Sequence, residues 1–117
     1  MEILTKKMLV RIATFVACAV ISLTSVAQTP PIIVSQPKSQ LIVVNSQMTL
    51  SASASGTSPL IYQWHKDGLP LSKQTNTSLI FPNIQTSSEG VYFLVITNSY
   101  GSVTSRLASI GSALTIE

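Results

Sequence analysis

Hydrophobic and polar residues follow one another in short runs along most of this chain. From position 28 onward, β-branched and aromatic residues recur in runs of five to eight, separated by Gly, Pro, Asn and Ser. No window in this part of the sequence shows three or four turns of helical periodicity. Short, evenly spaced runs of this kind are typical of antiparallel strands. The pattern predicts an all-β protein, built as an antiparallel sandwich or barrel.

The clearest single strand is predicted over 48–55, where small or aliphatic residues alternate with hydroxyl-bearing ones. Such alternation indicates a strand with one buried face and one solvated face. Further strands are expected at Ile32–Val34, Leu41–Val44, Ile61–Lys66, Ser78–Phe81, Val91–Thr97 and Ser102–Ile110. Pro37 has no amide donor, so the segment between the first two runs should be a sheet edge or a switch between sheets. We expect the last strand to bulge or restart at Gly111.

The first residues have the order of a secretory signal peptide. Lys6, Lys7 and Arg11 precede the apolar run 12–23, which is followed by small residues ending at Ala27. The apolar run has 12 residues, whereas a membrane-spanning helix needs roughly 20. We therefore predict a signal peptide over 1–27 and a mature domain over 28–117, placed in the periplasm, at the cell surface or outside the cell. The alternative is an uncleaved signal that stays as a membrane anchor.

The single cysteine, Cys18, lies inside that apolar run. If the signal is removed, Cys18 leaves with it, and the mature domain enters an oxidising compartment without a thiol for a disulfide. Lipidation of Cys18 is a further alternative, although nine residues separate it from the end of the predicted signal.

Charge excludes one class of partner. The whole chain has a formal net charge of +3, but the residues after 27 carry four cations and three carboxylates, a net charge of +1. Nucleic-acid binding needs a patch of clustered cations to neutralise phosphates. Because the cations are few and scattered, nucleic acid is not an expected partner.

The mature part also lacks the residues that catalysis and metal binding require. It contains one histidine, His65, with no cysteine, no second histidine and no Gly-rich phosphate loop. We therefore expect no enzymatic activity, no cofactor and no metal site. The triplet Asn-Thr-Ser at 76–78 matches the N-glycosylation sequon, which has meaning only in a host that glycosylates.

Three motifs carry a resemblance to a known family. Tyr-Gln-Trp at 62–64 places the only Trp in the middle of a strand, and Gly-Val-Tyr at 90–92 precedes an apolar strand. Asn-Ser-Tyr-Gly at 98–101 joins the last two predicted strands. Over about 32–110 the chain resembles an immunoglobulin-like domain of the intermediate set, of the disulfide-free kind found in exported bacterial proteins. The resemblance implies a Greek-key β-sandwich.

The same resemblance assigns the core. Trp64 takes the place of the family's core Trp on strand C, and Tyr92 that of the tyrosine-corner residue on strand F. Ala52 and Leu94 stand where the family's two cysteines lie, so that an aliphatic pair replaces the cystine. Ser88 replaces an acidic residue of the pattern, and the ion pair that this residue makes in relatives is not expected.

Alternation along strands C and F indicates a candidate interaction face. Its members should point away from the core: Ile61, His65, Val91, Phe93 and Val95. Neighbouring side chains or the chain end could instead cover this face, and His65 could be a solvated residue or a pH-sensitive contact. We expect a non-catalytic module for protein binding or adhesion. The alternatives are a structural spacer or assembly domain contacting a neighbouring domain and, third, a carbohydrate-binding module that uses Tyr100 or Trp64.

Overall fold

Ten β-strands and one short 3-10 turn make up the computed structural model, which describes residues 25–112. The predictions made for 1–24, including Cys18 and most of the signal, and for a restarted strand over 113–116 lie outside the described residues. The elements are β1 (Ile32–Ser35), β2 (Gln40–Leu41), β3 (Met48–Ser51), β4 (Ser53–Ser55), β5 (Ile61–Lys66), β6 (Leu69–Pro70), β7 (Ser78–Phe81), the 3-10 turn (Thr86–Ser88), β8 (Gly90–Asn98), β9 (Gly101–Thr104) and β10 (Ala108–Gly111).

The larger sheet is organised around β8. Its strand order is β2-β10-β8-β5-β6, and β9 also pairs with β8. β5 and β8 are antiparallel over six consecutive pairs, from Ile61 opposite Thr97 to Lys66 opposite Tyr92. This continuous ladder places Trp64 directly opposite Leu94.

The second layer consists of two short ladders, β1 with β4 and β3 with β7. The continuous strand predicted over 48–55 is therefore interrupted at Ala52. Ala52 donates its amide to the Thr77 carbonyl at 3.0 Å, whereas the next residues pair with β1. The strand changes neighbour at this point, and two ladders replace the single one expected.

The chain changes sheet at Pro37, because β1 belongs to the second layer and β2 pairs in parallel with β10 in the first. Strand β2 is shorter than the predicted Leu41–Val44 run. After it, only the Ile42 amide continues the ladder, to the Gly111 carbonyl at 2.9 Å. Asn45 then adopts a left-handed conformation with φ of 70°. The chain turns there, which ends the strand early.

The break in the last strand lies earlier than predicted. We expected one strand over Ser102–Ile110 with an interruption at Gly111, whereas residues 105–107 separate β9 from β10, and Gly111 belongs to β10. The Ser105 hydroxyl accepts the Leu94 amide at 2.9 Å, and the Ser105 amide donates to the Leu94 carbonyl at 2.8 Å. A side-chain oxygen thus takes a ladder position, and the regular pairing stops.

The core lies between the two layers. Its largest fully buried side chains are Trp64, Tyr92, Leu50, Ile84, Leu94 and Ile96. On β8 the burial alternates strictly, so one side of this strand faces the core and the other faces outward. Burial of each large apolar side chain contributes roughly 1.5–3 kcal/mol.

Candidate functional site

Trp64 belongs to the core and not to the surface. It is 0% exposed, and its indole Nε1 donates to the Asn76 carbonyl at 2.8 Å. The ring therefore fixes the loop between β6 and β7 against β5. A sugar ring cannot stack on an aromatic side chain that is closed off from solvent, so Trp64 cannot provide the carbohydrate site considered above. Tyr100 is 43% exposed.

Tyr92 ties the end of β8 to the preceding turn. Its ring is buried, and its hydroxyl donates to the Ser88 carbonyl at 2.6 Å, as the tyrosine-corner motif implies. Burial, with a smaller contribution from the negative charge of Asp67, raises the pKa of Tyr92 above its ordinary value of 10.0. The neutral phenol is therefore the form that the fold favours.

A turn that sequence reasoning treated only as a hairpin signal also holds this corner. Asp67 has a positive φ of 49°, and its carboxylate accepts the Val91 amide at 2.9 Å. Gly90 has a φ of 155°, and a Cβ placed there would lie 2.8 Å from the Asp67 carboxylate. Only glycine fits this backbone and this space. The close approach explains the Gly two residues before Tyr92.

Asn98 fastens the segment before β1 to the rest of the domain. Its side-chain amide donates to the carbonyls of Thr29 and Thr57 at 2.8 and 2.9 Å, and its oxygen accepts the Tyr100 amide at 2.9 Å. The side chain is only 9% exposed. The motif at 98–101 predicted the hairpin, but it carried no signal for these long-range contacts.

We call the outward side of β5, β8 and β9 the front face. Its side chains lie in rows across the sheet, since His65 pairs with Phe93, Gln63 with Val95 and Ile61 with Thr97. The imidazole of His65 stacks on the Phe93 ring, with centroids 4.7 Å apart and planes 7° from parallel. Its Nδ1 lies 3.2 Å from the Gln63 carbonyl oxygen. The front face is thus built from cross-strand pairs.

The residues predicted for the interaction face differ in exposure. Ile61 is 61% exposed, whereas Val91, Phe93, Val95 and His65 are half-buried. Each of the last four contributes only part of its surface, partly because His65 and Phe93 cover one another. The arrangement brings Ile61, His65, Phe93 and Val95 onto two adjacent strands, β5 and β8. It is a flat, mostly apolar surface without a deep pocket.

A family model described as "Immunoglobulin domain" matches residues 30–98, more than half of the chain. This chain belongs to the immunoglobulin domain family. The match spans β1 to β8, and therefore includes Trp64, Tyr92 and Asn98.

Solved structures show the same fold at low sequence identity. The immunoglobulin domains 1–5 of Sidekick-1 match with a TM-score of 0.69 and 23% identity, over 76% of this chain and 19% of that one. Titin M4 matches with a TM-score of 0.68 and 18% identity, over 75% of this chain and 100% of that one.

A curated relative is the mouse mucosa-associated lymphoid tissue lymphoma translocation protein 1 homolog, 32% identical over 75 residues. The alignment covers 64% of this chain and 9% of that protein. The chain thus spans about a tenth of this relative's length. The shared segment is of the size of one immunoglobulin domain.

Ala52 and Leu94 lie on the two strands that the inter-sheet cystine joins in antibody domains. They are 4% and 0% exposed and belong to the same core cluster. Leu94 also lies opposite Trp64 in the β5–β8 ladder. Aliphatic packing thus occupies this part of the immunoglobulin core.

Immunoglobulin domains are generally non-catalytic, and the surface chemistry here offers little else. Two shallow grooves of about 280 and 240 Å³ have Lys38 as their only ionisable lining residue. Within residues 25–112, no group of three or more His, Cys, Asp or Glu could hold a metal ion. Over the same described residues, no helix has the length and hydropathy to cross a membrane.

Proposed function

We propose that this chain is an exported bacterial immunoglobulin-like module of the intermediate set that binds a protein partner through its front face. In this proposal residues 1–27 form the removed signal peptide, and 28–117 form the working domain. The order of basic, apolar and small residues in 1–27 supports export.

The observation that carries the binding role is the makeup of the front face. Ile61 is largely exposed beside the stacked His65–Phe93 pair, and Val95 lies in the next row. None of the side chains at 61, 63, 65, 93, 95 and 97 is a carboxylate, Lys or Arg. Protein interfaces have cores that are depleted in charge and enriched in aromatic residues. A partner surface of matching flatness would bury these residues without having to desolvate an ion.

The decisive experiment places a photo-crosslinking amino acid at position 61 of the chain expressed in its native host. The matched control carries the same amino acid at Ser55, an exposed position of the other layer. We expect a covalent adduct with another protein from position 61 only. Adding Phe93→Lys should reduce this adduct at least about tenfold, because anchors of this kind contribute about 2 kcal/mol or more.

Thermal melting of the Phe93→Lys variant provides the folding control, since Phe93 is only half-buried. Failure to form an adduct at position 61, or formation of the same adduct at Ser55, would contradict the proposal. A precursor that keeps residues 1–27 after export would contradict the signal peptide without touching the binding face.

A further inference from the structure

Strand β7 is an open sheet edge. It pairs only with β3, in a register that places Leu50 opposite Leu79 and Thr49 opposite Ile80. The Ala52 amide donates to the Thr77 carbonyl, which is the next pair along the same ladder but one. Successive residues of an antiparallel strand direct their peptide groups to opposite sides. Ser78 and Ile80 therefore direct their N–H and C=O groups away from β3.

Those peptide groups have no protein partner in the part of the chain that the structure describes. None of the hydrogen bonds outside the regular ladders reaches the backbone of Ser78 or Ile80. The Ile80 side chain is 55% exposed on the outer side of the same strand. An edge of this kind offers both hydrogen bonds and apolar contact to an added strand.

Other edges in residues 25–112 carry the features with which proteins block strand addition. β1 has a register shift between Ile33 and Ser35, β2 has two residues, and β6 has two residues including Pro70. β9 ends at the break before β10, next to Arg106. β7 has four residues with regular pairing.

The sequence around β7 also lacks the charges that usually protect an edge. From Gln74 to Ser88 no residue is Asp, Glu, Lys or Arg. A charged edge repels a copy of itself, because self-pairing brings identical charges together. An uncharged edge places no such obstacle in the way of a second copy, so the occupant that fits it is another molecule of this chain.

We propose that two copies of this chain pair through β7, antiparallel about a two-fold axis at Leu79. In this arrangement Ser78 of each copy lies opposite Ile80 of the other, and their outward peptide groups form four hydrogen bonds. The two small sheets then join into one continuous sheet across the dimer. The front face lies on the other layer and stays free, so this inference does not depend on the binding role proposed for it.

The first test is sedimentation of the chain recovered after export from a host without N-glycosylation, which leaves Asn76 unmodified. We expect a concentration-dependent dimer whose Kd rises at least about tenfold in Ile80→Lys, because a charge then stands at the edge of each copy. Thr49→Lys is the matched control, since Thr49 is the exposed cross-strand neighbour of Ile80 on the inner strand. Its Kd should change by less than about twofold.

A second test fixes the register independently of stability. In a Cys18→Ser background, the only thiols are those introduced. A mixture of Ser78→Cys and Ile80→Cys chains should form a mixed disulfide dimer, since directly opposed residues lie about 5.5 Å apart between Cα atoms. A mixture of Thr49→Cys and Ile80→Cys should not. A chain that stays monomeric at millimolar concentration, or a dimer that Phe93→Lys dissociates and Ile80→Lys does not, would overturn the proposal.

Discussion

The two sheets of this immunoglobulin domain differ in continuity. In the larger sheet, β5 and β8 pair without interruption over six residues and place Trp64 against Leu94. In the smaller one, the strand that should run through it changes neighbour at Ala52 and leaves two separate two-stranded ladders. A continuous ladder holds a core and presents a flat face, whereas a divided sheet leaves edges open. The difference assigns binding to the front face and self-association to β7.

Asn98 connects the two sheets, and its removal should have the largest single-residue effect. Asn98→Ala leaves the carbonyls of Thr29 and Thr57 without their donor at a nearly buried position. We expect a loss of about 1–3 kcal/mol in the free energy of unfolding. Urea denaturation measures this loss. Hydrogen exchange should show that β1 and β4 lose more protection than β5 and β8.

Ser99→Ala is the matched control, because Ser99 is the exposed neighbour of Asn98 in the same turn. It should change stability by less than about 0.5 kcal/mol. Equal loss of protection in both sheets of Asn98→Ala would show that the smaller sheet does not depend on this side chain more than the larger one does.

Tyr92→Phe should have a smaller effect, confined to the larger sheet at neutral pH. It removes the hydroxyl that donates to the Ser88 carbonyl, at a cost of about 0.5–1.5 kcal/mol. Because the folded pKa lies above 10.0, the phenol's contribution is fully present below pH 10 and is lost as the pH rises through the folded value.

Denaturation between pH 9 and pH 12 tests this sign. The wild-type chain should lose more stability over this interval than Tyr92→Phe, which has no phenol to ionise. A wild type and a variant with parallel pH profiles would show that the Tyr92 hydroxyl has the same pKa in both states.

Much of this architecture is evident in the sequence because side-chain alternation directly reports which face of a strand is buried. The apolar positions of β8 and the Tyr62 to Trp64 strand were predicted in this way, and the family match agrees with them. Features that depend on contacts distant in sequence were not predictable. The breaks at Ala52 and Ser105 arise from a change of partner strand and from a hydroxyl in a ladder position.

The candidate sites show the same division. Alternation predicted which side chains on β5 and β8 point outward, but not that His65 and Phe93 stack and cover part of each other. No local pattern indicated that β7 would remain unpaired, because that depends on how the chain between β6 and β7 passes to the second layer. Edge exposure is a property of the topology and not of the strand's own residues.

The packing of the divided sheet on the continuous one is the central claim, and one engineered cross-link tests it directly. In a Cys18→Ser background, Ala52→Cys with Leu94→Cys places thiols at the positions where the family's cystine would lie. We predict that air oxidation forms one intramolecular disulfide, which lowers the mass by two hydrogens and raises the free energy of unfolding by about 2–4 kcal/mol. Two free thiols remaining in the folded double variant would contradict this account, since they would show that Ala52 and Leu94 do not face each other across the core.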